Sequence, residues 1–362
     1  MNKIMIKPKV LKKGDKIAIV SLSRGLLGMP FCKHELDIAI RRLKELGLEP
    51  VIMPNALKDV KYLEEHPEKR ASDLKQAFMD DSIKAIITAI GGVDTYKLIP
   101  YLMEDEEFKT AVLDHPKIFT GFSDTTNNHL MLNRIGLATF YGPCLLVDLA
   151  ELDEEMLPYT KKYFEMFFVE KNVFEIKSSP IWYSDRESYS ESEVGKPRIS
   201  HNEVHGFETL NGSGVVSGKL YGGCIESIYD ALTGVNFPDE HAIYEKYKIF
   251  PSEKEWREKI LFLETSDVCS PPEELEKMLI EFKNRGIFDW VKGIIVGKPI
   301  DEKYYDEYKK IYRKVFFDLR TPILYNVNFG HAVPRCILPY GAEAIVDYDN
   351  RKIIINEPIF DI

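Results

Sequence analysis

Cysteine is sparse in this sequence: Cys32, Cys144, Cys224, Cys269 and Cys336 are the only five among 362 residues, and none forms a CxxC pair. That scatter excludes a disulfide framework or a zinc ribbon as the organising device and fits reduced thiols in a cytoplasm. Basic charge is short as well. Lys and Arg number 48 against 58 Asp and Glu, for a formal net charge of −10 and a pI near 5.5, the reverse of what a nucleic acid or an anionic membrane selects. No apolar run approaches the ~18 residues of a membrane span. The lysine-rich opening, Met1 to Lys13, lacks the apolar core of a signal peptide. The phosphate-binding spacings GxGxxG and GxxxxGK[ST] are absent, and so is the GxSxG of the nucleophile elbow.

What remains is an ordinary globular composition, 44% hydrophobic and 29% charged, with length for roughly two domains. The first 150 residues alternate β-branched apolar runs with amphipathic segments. Lys16 to Ser21, Val51 to Met53, Ile83 to Ile90 and Lys117 to Thr120 read as strands. Lys33 to Leu46, Glu68 to Met79, Thr95 to Met103 and Thr125 to Arg134 read as helices. Such alternation implies a Rossmann-like parallel sheet covered on both faces, with ligands at the carboxyl ends of its strands. Ser178 to Ser200 is serine-rich and aperiodic, a linker or active-site flap. Glycines then recur from Asn211 to Gly223, suiting turns and bulges in a twisted sheet. Strands at Lys259 to Leu263, Trp290 to Val296 and Ile323 to Val327, helices at Pro272 to Arg285 and Glu302 to Phe317, and a hairpin over Ala344 to Ile355 complete a mixed, β-rich second half. The expected division is an α/β domain over 1–165, a linker or flap over 166–205, and a C-terminal α/β domain over 206–362.

Gly121-Phe122-Ser123-Asp124-Thr125 lies between a strand and a helix, where a serine hydroxyl is lifted clear of the sheet beside the first helical amides. Such a turn suits a nucleophile beside an oxyanion hole, and Ser123 or Asp124 capping the helix is the plainer reading of the segment alone. At Ile90-Gly91-Gly92, two glycines let backbone approach a ligand closely, as an oxyanion donor, a phosphate-binding turn or a plain turn. Of the eight histidines, His129 lies six residues beyond Ser123 and points away from it on a regular helix. His201 and His205 fall in a polar loop that disfavours a metal. His331, in Phe329-Gly330-His331 after a strand, occupies the kind of loop that carries catalytic side chains. Glu264 ends the apolar run Ile260 to Leu263, and Asp267 is its competitor for orienting a base.

With these residues marked, the chain resembles the LD-carboxypeptidase family of serine peptidases, and within it the MccF-like (microcin C self-immunity) branch. The resemblance runs through Leu11 to Val20, Arg70 to Gly92, Gly121 to Asp124, Phe262-Leu263-Glu264, and Gly330-His331 with Pro339 to Ala342, in that order. It implies a Ser-His-Glu triad of Ser123, His331 and Glu264, with the amides of Gly92 and Asp124 as oxyanion hole and neither metal nor organic cofactor. Ile90 to Gly92 with Leu98 to Leu102, Trp182, and Gly206-Phe207-Glu208 look like the MccF-type proteins. By that resemblance Gly91, Trp182, Phe207 and Glu208 contribute to a pocket for an aminoacyl-adenylate, an aromatic ring stacking on the base. The implied substrates are a small peptide, a peptidyl-nucleotide or a muropeptide, and the implied assembly is a homodimer. Two other classes stay open on the residues alone: a non-catalytic nucleotide-binding α/β protein, and an α/β-hydrolase esterase sharing the order Ser, acid, His.

Overall fold

The computed structural model describes residues 5–170 and 173–361. The chain forms two compact units, one from Met1–Glu170, Arg186–Arg198 and Ile359–Ile362, the other from Lys171–Asp185 and Ile199–Pro358. The segment 166–205 is therefore shared out. Residues 186–198 lodge in the first unit, where Arg186 and Arg198 converge on the buried Glu151 carboxylate at 2.6 and 2.5 Å.

In the first unit β1 (Lys16–Val20), β2 (Glu49–Ile52), β3 (Ile83–Thr88), β4 (Ile118–Gly121) and β5 (Phe140–Tyr141) pair in the order β5-β4-β3-β1-β2, every pair parallel. The central strands are near-continuous apolar runs, as burial on both faces demands. Helices at Lys33–Glu45, Pro67–Met79, Glu106–Asp114 and Thr126–Ile135 fill the crossovers. The consequence is functional: Ser23, Gly91 and Ser123 all follow the carboxyl ends of adjacent parallel strands.

The second unit contains β6 (Phe174–Ile176), β7 (Ile181–Tyr183), β8 (Ser200–Asn202), β9 (Glu208–Asn211), β10 (Val215–Cys224), β11 (Lys259–Glu264), β12 (Gly293–Gly297), β13 (Ile323–Val327), a two-residue β14 (Leu338–Pro339), β15 (Glu343–Asp347) and β16 (Lys352–Ile355). Eight of them form one sheet in the order β6-β16-β15-β10-β11-β12-β13-β9. Its core, β10 to β13, is parallel, and antiparallel strands flank it on both sides. Gly212 and Gly214 take positive φ in the connection between β9 and β10, as a turn requires. Gly218, Gly222 and Gly223 lie within β10, where a Cβ on Gly222 would stand 1.8 Å from the Phe262 carbonyl oxygen, so glycine is there for close packing of neighbouring strands. Cys224, Glu264, Lys298 and the His331 loop all sit at or beyond the carboxyl ends of these parallel strands. Among the described residues no helix is long and apolar enough to cross a membrane.

Candidate active site

Ser123 opens a single 3-10 turn, Ser123–Thr125, between β4 and the helix Thr126–Ile135. Its φ is +65°, a left-handed conformation that costs a non-glycine residue about 1 kcal/mol or more and persists where packing imposes it. The residues at the N-cap positions of the turn and of the helix are Phe122 and Thr125, and neither makes a side-chain cap hydrogen bond. The Ser123 N–H donates to the Tyr141 hydroxyl at 3.1 Å. Gly91 lies against the serine: a Cβ added there would come within 2.7 Å of Ser123 Cβ and 2.9 Å of its Oγ. Gly92 is as tightly enclosed, since its Cβ would stand 2.2 Å from Ser23 Oγ.

Asp124 turns inward. It is 3% exposed, and its Oδ2 accepts from Ser23 Oγ at 2.6 Å and from the Thr95 N–H at 2.9 Å, while Oδ1 accepts from Asn127 Nδ2 at 2.9 Å. Burial pushes its carboxyl pKa up, and these hydrogen bonds pull against that. Arg70, wholly buried, grips Asp94 with both terminal nitrogens at 2.7 and 3.1 Å and also donates to the Leu22 carbonyl. His129 is not a base for this serine. Its Nε2 faces the Gly121 carbonyl at 3.0 Å and its Nδ1 the Thr139 hydroxyl at 2.8 Å, and burial drives its pKa down to about 3.

In the second unit the structure joins Glu264 and His331. Glu264 Oε2 accepts from both His331 Nδ1 at 2.8 Å and the His331 backbone N–H at 3.1 Å. A carboxylate has no proton to give, so Nδ1 carries the hydrogen and Nε2 is the basic nitrogen of the neutral ring. Gly330, at φ +77°, permits this: a Cβ there would overlap the Glu264 carboxyl group at 2.3 Å. Arg335, 1% exposed, fixes the loop by donating to the Gly330 and His331 carbonyls. Burial disfavours the imidazolium, but the charges of Glu264, Asp267 and Glu226 and the Glu264 hydrogen bond outweigh it, so the His331 pKa is raised above its ordinary value. Asp267, exposed, stands 3.7 Å from His331 Nε2. Glu226, unremarked in the sequence, holds the loop after Glu264 that carries Asp267, by accepting from the Ser266 N–H and the Ser270 hydroxyl.

Trp182, 9% exposed, stacks on His201 across the β7–β8 pair at 4.0 Å between ring centroids, and the Lys298 ammonium lies 5.0 Å over its ring. Lys298 is itself paired with Glu203 at 3.0 Å. Phe207 is buried. Glu208 accepts from the Tyr305 hydroxyl and from Lys309 Nζ at 2.7 Å. Lys298 also lies 5.5 Å over the Tyr305 ring, so Trp182, His201, Glu203, Lys298, Tyr305, Glu208 and Lys309 form one connected cluster of the second unit. Among the described residues no three His, Cys, Asp or Glu side chains are grouped to hold a metal ion.

Two family models match: the LD-carboxypeptidase N-terminal domain over residues 17–142 and the LD-carboxypeptidase C-terminal domain over 217–346. A crystal structure of an MccF-like protein from Streptococcus pneumoniae in complex with AMP is 44% identical, covers 95% of this chain and 99% of that one, and superposes with a TM-score of 0.89. A probable murein peptide carboxypeptidase of Bacillus subtilis is 28% identical over 357 residues, 96% of this chain and 94% of its own length. The microcin C7 self-immunity protein MccF of Escherichia coli is 25% identical over 299 residues, 80% of this chain and 78% of its own.

Proposed function

The chain belongs to the LD-carboxypeptidase family, and from that membership we propose that it is a serine hydrolase using Ser123, His331 and Glu264 to cleave the amide of an aminoacyl- or peptidyl-nucleotide. In this reading Ser123 Oγ attacks the amide carbonyl and His331 Nε2 takes the serine proton. The same nitrogen then returns the proton to the leaving amine, and a water repeats the cycle on the acyl-enzyme. Glu264 holds the tautomer and balances the imidazolium. The Gly92 and Asp124 amides receive the oxyanion, each donor worth about 2.7–4 kcal/mol in the transition state.

The observation that carries the catalytic part is the buried Glu264–His331 hydrogen bond, which fixes a protonated Nδ1 and a basic Nε2. The nucleotide branch is supported by 44% identity, over almost the whole chain, to a protein seen with AMP. The relation to a murein peptide carboxypeptidase favours a second reading, release of D-Ala from a murein tetrapeptide. Incubation with an aspartyl-adenylate analogue and, separately, with a murein tetrapeptide, followed by mass spectrometry, separates the two. Release of the nucleotide moiety by the native protein and not by Ser123→Ala is the expected result. Release of D-Ala alone selects the second reading, and tight nucleotide binding without hydrolysis overturns the catalytic one.

A further inference from the structure

We propose that the side chain of Asp124 is a positioning residue that ties the backbone carrying the Gly92 amide to the turn carrying Ser123, so that the two oxyanion donors act as one rigid pair. The proposal rests on the serine-hydrolase reading and adds a part to it. Three strand-end segments meet at this carboxylate: Ser23 after β1, Thr95 after β3, and Asp124 itself after β4. A single oxygen, Oδ2, receives both distant donors, and Asn127 steadies the other. Thr95 is held a second time, its hydroxyl donating to Asn128 Oδ1 at 3.1 Å. The Arg24 N–H donates to the Gly91 carbonyl at 3.3 Å, and Arg70 joins Asp94 to the Leu22 carbonyl. The backbone from 91 to 95 is thereby pinned from both of its neighbours.

The donors to the Asp124 oxygens are neutral: a hydroxyl, a peptide N–H and an amide. Burying a carboxylate against neutral donors is expensive, and an apolar residue would fill the space without that cost. What an apolar residue does not supply is an acceptor able to hold two loops at once. An oxyanion hole works only when its donors are in place before charge develops, and a shift of about 1 Å in such a group costs on the order of 100-fold in rate.

The test compares Asp124→Ala, Asp124→Asn and Ser23→Ala with the native protein. Each is assayed for the second-order rate of Ser123 labelling by a fluorophosphonate, a probe needing the nucleophile and oxyanion hole but no particular substrate, and for the AMP dissociation constant. Thermal melts identify folded variants. Asp124→Ala is expected to slow labelling by about 10²–10³-fold, the loss of one oxyanion donor, with AMP affinity changed by less than about twofold if the clamp serves the transition state only. Asp124→Asn keeps an acceptor oxygen for Ser23 and Thr95, and is expected to recover to within about tenfold of native. Ser23→Ala removes one strut and is expected to fall between them, and it carries the test if Asp124→Ala does not fold. Native labelling rates in a folded Asp124→Ala, or in Ser23→Ala where the former is unfolded, overturn the proposal. Equal losses in the Ala and Asn variants with a parallel loss of AMP affinity also overturn it, since that pattern marks a general structural role. Failure of the native protein to label at Ser123 overturns the serine-hydrolase reading instead.

Discussion

Replacing Gly91 by alanine tests how closely Ser123, the proposed nucleophile, depends on the second glycine-bearing turn. Gly91 is not among the residues with positive φ, so alanine meets no backbone obstacle there and the substitution acts through space alone. The new Cβ would lie 2.7 Å from Ser123 Cβ, 2.9 Å from its Oγ and 3.3 Å from the Asp124 nitrogen. Carbon atoms in contact settle at ~3.5–4.0 Å, so the serine or the glycine turn must move by roughly 1 Å. Neither is free to do so cheaply, because the Ser123 N–H is held by Tyr141 and the Gly91 carbonyl by the Arg24 N–H. Overpacking of this kind costs about 1–3 kcal/mol of stability. A displacement of that size at a reacting group costs about 100-fold in rate. Steady-state hydrolysis with urea denaturation in parallel is the assay: the expected result is a folded protein with kcat lowered about 100-fold. A Gly91→Ala enzyme with native stability and kcat within threefold of native would show that the serine does not rest against this turn during turnover.

Three further outcomes follow from the same geometry. Ser123→Gly, which accepts a φ of +65°, should unfold about 1 kcal/mol less readily than Ser123→Ala in urea although both are inactive, because glycine escapes the left-handed penalty; equal stabilities would mean the turn is unstrained. His129, with a pKa near 3 when folded against 6.5 as reference, stabilises the fold fully above pH 6.5, and that contribution is lost as pH falls toward 3, because the unfolded chain takes up the proton first. The loss reaches roughly 3 kcal/mol by about pH 4.5; His129→Gln should flatten that part of the stability profile, and an unchanged slope would refute the assignment. The His331 pKa is raised, in part by Asp267, and as the proposed base His331 works only when neutral, so the acid limb of kcat/KM is expected above the ordinary histidine value. Asp267→Asn should move that limb to lower pH, and by less in 1 M salt, where the Debye length is about 3 Å; a limb that stays still or rises contradicts the role given to this carboxylate.

The parts of the molecule legible in the sequence were those announced by local backbone context. The parallel strands from Lys16 to Gly121 show as β-branched runs separated by amphipathic helices, and Ser123, Glu264 and His331 each stand where an apolar run gives way to a loop. Glycine was legible where its reason is local, at the positive-φ Gly212 and Gly214 between β9 and β10; at Gly222 in β10 it answers to the Phe262 carbonyl of the next strand, 40 residues away in the chain, and no pattern within 211–223 distinguishes the two. Trp182 and His201 read as separate residues, an aromatic and an idle histidine, because only the β7–β8 register makes them one stack.

The buried charged residues that hold the loops at the two sheets' carboxyl edges are the least legible of all, and for one physical reason. Asp124 meets Ser23 across 101 residues and Thr95 across 29, Arg70 meets Asp94 across 24, and Glu226 meets Ser266 across 40. Each is a charged side chain that a composition counts as solvated surface. A net charge of −10 describes how the protein repels or attracts at a distance, but it does not separate an acid facing water from one that holds two loops together. That separation is made by burial, and burial at a sheet's carboxyl edge is decided by which strands become neighbours. Here β3 lies between β1 and β4, so the loops after all three open side by side and one buried carboxylate can reach both of the others. The topology therefore creates the need for Asp124, and a sequence read without strand order sees only the residue after the serine.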